Sequence, residues 1–317
     1  MDQDVENKQI TNADQQDQLE HSGYVAVVGR PNVGKSTLMN RILGEKIAIV
    51  SPKPQTTRLT QLGIYTEGST QVIFVDTPGI HKPRHALGKF MVRVATDALR
   101  DADIILFVVD LQEAPNAEDK RVAELVRQSG SMCILVLNKI DRTKPENVQP
   151  HLDLYRALVP GVSDNDWVAI SAKLGSGVDD LLHRIVVKLP AGPQYFPEDQ
   201  ISDVAVRQIA SEIVREKVMH NTEREVPHAI AVEVDEFKER SATLTYIAAS
   251  VYVERDSQKP IIIGKQGALL KKISTEAREE IEKLLDTKVY LELQVKVQKD
   301  WRRDDVFLQR LGYKLRK

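Results

Sequence analysis

Gly29-Arg30-Pro31-Asn32-Val33-Gly34-Lys35-Ser36 follows directly on the apolar run at residues 24–28 and precedes a helical pattern that starts near Ser36. It matches G-x-x-x-x-G-K-[ST] in the strand–loop–helix context that the motif requires. The glycines let backbone N–H groups close around phosphate oxygens at a helix N-terminus, where the peptide dipoles favour negative charge. Lys35 brings a cation to the β and γ phosphates and Ser36 a hydroxyl to magnesium. Residues 29–37, ending in Thr37, are therefore expected to hold the phosphates of a nucleoside triphosphate.

Outward from this loop, short runs rich in Val and Ile at residues 72–75, 104–109, 134–137 and 168–170 alternate with helical stretches up to about residue 188. The alternation predicts an α/β P-loop domain over residues 23–188, a mainly parallel sheet with helices on both faces. Such sheets bind ligands beyond the carboxyl ends of their strands. The remaining motifs fall there: Asp76-Thr77-Pro78-Gly79 after the second run, Asn138-Lys139-Ile140-Asp141 after the fourth, and Ser171-Ala172-Lys173 after the fifth. Asp76 is placed to reach magnesium, through water, and Gly79 to reach the γ phosphate. Asp141 can accept hydrogen bonds from N1–H and the exocyclic amine of guanine. Adenine offers neither and would leave a buried carboxylate unpaired, at a cost of about 1–3 kcal/mol or more. An ATP-dependent nucleotide kinase is excluded on the same ground.

These motifs resemble those of the translation-factor-like GTPases. The resemblance implies that Asn138 bonds N7 of guanine or bridges neighbouring loops, that the stem of Lys139 covers the base, and that the Ala172 N–H approaches O6, with Ser171 and Lys173 shaping that loop. It also marks two switch segments. Pro54-Gln55-Thr56-Thr57-Arg58 resembles the first, with Thr57 ahead of Thr56 as a magnesium ligand. Residues 76–80 form the second. In Ras-like relatives a glutamine follows the Asp-x-x-Gly motif and orients the attacking water; Ile80 stands there in this chain and can do no such work. Slow intrinsic turnover is expected, with help from backbone, a cation or a partner. Asn32 is either a turn former or the counterpart of the asparagine with which some relatives hold potassium.

The chain has 317 residues, 42% of them apolar, enough for two cores. A net charge of −2 excludes a general polyanion binder, so any nucleic-acid surface is local. Seven scattered histidines show no ligand spacing, and the single cysteine, Cys133, reads as buried in a strand. One cysteine allows no intrachain disulfide, which fits a reducing compartment. The longest apolar runs are about one third of a membrane span. Residues 1–22, rich in Gln, Asn and Asp, read as a disordered tail without targeting pattern. Pro190, Pro193 and Pro197 mark residues 189–200 as a linker.

Beyond it, helical spacing begins at Ile201, and the order α-β-β-α-β follows to residue 300, with a helical turn before Gly264. Ile263-Gly264-Lys265-Gln266-Gly267 lies between an apolar run and an amphipathic helix bearing Lys271 and Lys272. By itself a Gly-x-x-Gly match is weak. In this position it resembles the RNA clamp of K homology (KH) domains, where glycines allow close approach and Lys265 meets phosphate. Residues 301–317 are expected to form a basic C-terminal segment, with Arg302, Arg303, Arg310, Lys314, Arg316 and Lys317 adding to a local cationic surface.

Taken together, GRPNVGKS, QTTR, DTPGI, NKID, SAK, the proline linker and IIIGKQG closely resemble the Era family of bacterial GTPases. The resemblance covers the chain from about residue 24. It implies a GTPase domain followed by a type II KH domain that binds the 3′ end of 16S ribosomal RNA during 30S subunit maturation. It also implies magnesium as cofactor, a cytoplasmic monomer and some peripheral inner-membrane association. The alternative is a membrane-associated or cell-cycle signalling GTPase whose KH domain engages a protein.

Overall fold

The computed structural model describes residues 20–51, 53, 56–83 and 85–313. The expected tail lies outside the described residues up to position 19. His21 and Ser22 do not belong to it, since they open the first strand.

The strand β1 (His21–Val28) sits inside a six-stranded sheet of order β2-β3-β1-β4-β5-β6. The others are β2 (Gln61–Glu67), β3 (Thr70–Asp76), β4 (Ile104–Asp110), β5 (Met132–Asn138) and β6 (Trp167–Ala169). Every pairing is parallel except β2 with β3. Side chains alternate across the sheet. Val25 and Val27 face α1 (Lys35–Leu43) and α5 (Val178–Lys188), while Ala26 and Val28 face α2 (Ala86–Asp101), α3 (Ala117–Ser129) and α4 (Pro145–Leu158). All seven residues of β4 are buried, as expected of a strand covered on both faces. The sequence reading names no strand at β2, where Gln61, Gly63 and Thr66 interrupt the apolar pattern.

Residues 189–205 are not a free tether. Ser22 N donates to Pro190 O at 3.2 Å, the Gln71 side chain bonds the backbone of Tyr195 and Phe196, and Ile64 N donates to Ile201 O at 2.8 Å. The helix expected from Ile201 therefore starts only at Val206, because Ile201, Ser202 and Asp203 are spent on the open edge of β2.

The second domain comprises α6 (Val206–Asn221), β7 (Ala231–Ser241), β8 (Leu244–Val253), α7 (Lys259–Ile263), α8 (Ala268–Leu285), β9 (Lys288–Val297) and α9 (Asp305–Arg310). Its sheet runs β7-β8-β9, antiparallel then parallel. The helices α6 and α8 cover one face through Ile213, Val214, Ile273 and Ile281. Residues 301–313 do not form the solvated basic segment expected. Trp301, Phe307, Leu308 and Tyr313 are buried against Leu87, Phe90 and Met91 of α2. Arg302 pairs with Glu254 and Arg310 with Glu233; Lys314, Arg316 and Lys317 lie outside the described residues.

Candidate functional site

Between β1 and α1 the chain must turn tightly enough to present amides, and Gly34 does so at φ 103°, with Asn138 Nδ2 2.3 Å from where a Cβ would stand. Asn32 also takes a left-handed conformation, φ 65°, which suits a turn asparagine. Lys35 Nζ lies over the loop, donating to Gly29 O and Arg30 O at 3.2 and 3.1 Å, and burial lowers its pKa to about 8. Pro31, Asn32, Gly34, Lys35, Ser36 and Thr37 line a cleft of about 530 Å³. Val33 points into the core instead, and Arg30 turns away to Asp119 and Glu113, at 3.2 and 2.8 Å.

Ser36, Thr57 and Asp76 come together although 40 residues separate the outer two. Ser36 Oγ is 2.9 Å from both Asp76 Oδ2 and Thr57 Oγ1, and Thr57 Oγ1 is 3.2 Å from Asp76 Oδ2. Asp76 is fully buried, and its Oδ1 has no partner among the described residues. Burial raises its pKa against the opposing influence of Lys35. Three converging oxygens with an unsatisfied carboxylate oxygen suit a hard cation. Thr56 Oγ1 donates to Lys53 O at 2.7 Å, which separates the two threonines. Pro54 and Gln55 lie outside the described residues. In the second switch, Thr77 Oγ1 donates to Val27 O at 2.8 Å, Gly79 lines the cleft, and Ile80 packs in the core.

At the other end of the cleft stand Asn138, Lys139, Asp141, Ala172 and Lys173. Of the two roles open to Asn138, it plays the bridge, donating to Val33 O at 2.7 Å and accepting from Ala172 N at 2.9 Å. The Ala172 N–H, expected at guanine O6, is thus engaged by Asn138. Ser171 accepts from Leu174 N at 3.1 Å and shapes the loop. Lys139 Nζ reaches Asp110 Oδ2 at 2.6 Å. The sequence reading missed Asp110, the partner of Lys139, and it missed Ile49, Val50 and Ser51, which wall the cleft without a motif.

In the second domain Gly264 has φ 73°, and a Cβ there would meet Leu269 N at 2.9 Å. Lys265 and Gln266 stand exposed at the tip, and Ile263 is half-buried behind them. The N-terminus of α8 has no side-chain cap; the amides of Gly267 and Ala268 turn back to the carbonyls of Gly264 and Lys265. Beside it Gly267, Leu270, Lys271, Ser274, Thr275 and Leu293 line a groove of about 300 Å³. Lys272 leaves that set and lies 3.7 Å from Glu276. Among the described residues no cluster of His, Cys, Asp or Glu could hold a metal. Burial pushes the Cys133 thiol up to about 12, an unreactive state.

The sequence family described as 50S ribosome-binding GTPase matches residues 24–139, and the KH domain family matches residues 225–302. The chain is 51% identical to GTPase Era of Geobacter metallireducens over 92% of its length and 97% of that protein. It is 48% identical to GTPase Era of Thermotoga maritima, with the same coverage. Two solved structures superpose on nearly all of it. One is Era in complex with MgGDPNP and nucleotides 1506–1542 of 16S ribosomal RNA, at TM-score 0.90, 44% identity, 93% of this chain and 100% of the other. The second is a single-residue variant of Aquifex aeolicus Era bound to GDP and AlF4−, at TM-score 0.89, 43% identity and the same coverage. With a cleft lined by the phosphate loop and the base motifs, a KH groove and relatives at this identity over 92% of its length, the chain belongs to the Era family of GTPases.

Proposed function

We propose that this GTPase is a slow timer on RNA: GTP holds the switch segments, the KH groove takes the 3′ end of 16S ribosomal RNA, and hydrolysis releases it during maturation of the 30S subunit. The observation that carries the reading is the pairing in one chain of the cleft at Gly34–Thr57 with the Gly264–Gly267 groove. The broad family description names the large subunit. The relative with small-subunit RNA, at 44% identity over the full fold, carries more weight.

In this reading the loop amides and Lys35 hold the phosphates, and Asp141 selects guanine with the Lys139 stem over the base. Ser36 and Thr57 would hold magnesium, with Asp76 reaching it through water, and the ion would supply charge to the β and γ phosphates. Asn32, at the cleft wall, is assigned potassium, which supplies the charge that no side chain of the second switch supplies. Ile263, Gly264 and Gly267 let the RNA backbone approach, and Lys265, Gln266, Lys271 and Lys272 meet phosphates or bases.

The form this reading needs is a cytoplasmic monomer that touches the inner membrane only peripherally. Among the described residues no helix is long and apolar enough to cross a membrane. Sedimentation and cell fractionation read both properties.

The test is RNA affinity by fluorescence anisotropy with a 16S 3′-end oligonucleotide, in a GTP analogue and in GDP. Gly267→Asp is the informative variant: a Cβ at Gly267 meets nothing within 4 Å, and the φ of 79° strains any side chain there, aspartate less than most because its short polar side chain is among the few found in the left-handed region. The new charge faces the RNA backbone and is expected to weaken binding by about tenfold or more while GTP turnover without RNA stays unchanged. Equal RNA affinity in both nucleotide states would sink the timer, because linkage requires each ligand to tighten the other by the same factor.

A further inference from the structure

The backbone on both sides of Thr57 is tied to the second domain. Just before it, the carbonyl of Thr56 accepts a hydrogen bond from Arg215 of α6. Just after it, Arg58 crosses into the second domain, where Nη1 donates to Ile230 O at 2.7 Å and the guanidinium lies 5.4 Å from the centre of the Trp301 ring. Arg215 is oriented in turn by Glu212, with Nε 2.9 Å from Oε1, and by Met219, with Nη1 3.4 Å from Sδ. Further back in the same segment, Val50 N donates to Glu216 Oε2 at 3.3 Å.

Both guanidiniums are almost inaccessible, Arg58 at 2% and Arg215 at 1% exposure. Burying two cations near one another is a poor route to stability, since desolvation offsets most of the attraction to their partners. Burial and the Arg215 charge together lower the Arg58 pKa. Arg58 Nε finds no partner among the described residues, so Arg58 is not placed for the best pairing of its own donors. What the arrangement does achieve is geometric. Bonds that end on main-chain carbonyls fix where the backbone runs, whatever the side chains there. With the chain held at Thr56 and at Arg58, the residue between them has little freedom left, and its hydroxyl stands 2.9 Å from Ser36 and 3.2 Å from Asp76.

We propose that Arg215 and Arg58 are positioning residues for GTP hydrolysis: they make the second domain hold residues 56–58 in place, so that Thr57 presents its hydroxyl beside Ser36 and Asp76. The proposal rests on the reading of Thr57 as the magnesium threonine. Neither arginine lines the cleft, and both act through Thr57 alone.

The experiment is a magnesium titration of steady-state GTP turnover in the full chain, for wild type, Thr57→Ala, Arg215→Ala, Arg215→Lys and Arg58→Ala. Binding of fluorescent GDP is measured beside it, since diphosphate binding draws on the phosphate loop and base loops rather than on the first switch. Each arginine-to-alanine change is expected to raise the magnesium concentration for half-maximal turnover about tenfold, the worth of one charged hydrogen bond. GDP affinity is expected to stay within about twofold of wild type, the scatter of an uncoupled site. Arg215→Lys keeps one donor for the Thr56 carbonyl and is expected to recover part of the loss; if Arg215→Ala does not fold, Arg215→Lys supplies the measurement, and Arg58→Lys does so for Arg58→Ala. A magnesium requirement that moves in Thr57→Ala but in no arginine variant overturns the proposal. A requirement unmoved in Thr57→Ala overturns the underlying reading instead. Parallel loss of GDP binding and magnesium response in all arginine variants marks them as structural and also overturns it.

Discussion

Ile80 is fully buried with Val28, Ala95 and Leu99, and its amide donates to Gly29 O at 3.3 Å. It therefore fastens the second switch to the phosphate loop and does not reach into the cleft. Restoring the glutamine of Ras-like relatives would place an amide in that core, at a cost on the order of 1–3 kcal/mol. Ile80→Gln is expected to lower the denaturation midpoint without raising turnover, and a faster enzyme would show that the side chain can reach the attacking water. The missing charge is then sought in a cation: replacing potassium by sodium is expected to slow turnover, and equal rates would remove the role assigned to Asn32. Residues that the fold gathers at the cleft were legible in the sequence, because Lys35, Ser36, Asp76, Asn138 and Asp141 stand in motifs of fixed spacing. Arg58 and Arg215 were not, although Arg58 stands inside the QTTR motif. Their partners are main-chain carbonyls 172 and 159 residues away, and no local pattern records that.

At the scale of elements, α2 begins with His85, whose Nδ1 accepts from Gly88 N at 3.1 Å. An imidazole can cap in this way only while that nitrogen is unprotonated. Burial, and then the positive charge of Arg302, lower its pKa from 6.5 to about 4. The unfolded chain takes up the proton first, so the contribution to stability is whole above about pH 6.5 and is lost as the pH falls toward 4. His85→Asn keeps a capping oxygen and has no proton to gain. Wild type should thus lose stability faster than the variant between those values in urea denaturation, and parallel slopes would overturn the assignment. Elements with one dominant period, such as the unbroken apolar run of β4 and the strict alternation of β9, were readable from sequence. The strand β2 and residues 201–205 were not, because each takes its form from the other: a weak edge strand is completed by a segment whose helical spacing is overridden by that pairing.

At the scale of the molecule, the helix that follows the second switch is also the floor of the contact between domains. Leu87, Phe90 and Met91 of α2 pack on Trp301, Phe307, Leu308 and Tyr313, and the Phe90 and Tyr313 rings meet edge-on at 5.6 Å. The sequence showed the two domains and the motif residues of each cleft but not this contact, since its apolar side chains come from a segment whose charges suggested solvent. A buried contact of this kind makes two domains unfold as one unit as long as it outweighs the difference in their separate stabilities. Removing the Phe90 ring costs about 3–5 kcal/mol in a filled core, and here the loss falls on the contact rather than on either domain's own core. The full chain is therefore expected to melt in one calorimetric transition that GDP raises as a whole, by an increment of about 2.7 kcal/mol at one hundred times the dissociation constant. In Phe90→Ala two transitions are expected, with GDP raising only the one that belongs to the GTPase domain. A single transition that still follows GDP in full would mean that the arginine ties and the linker hold the domains together without the ring.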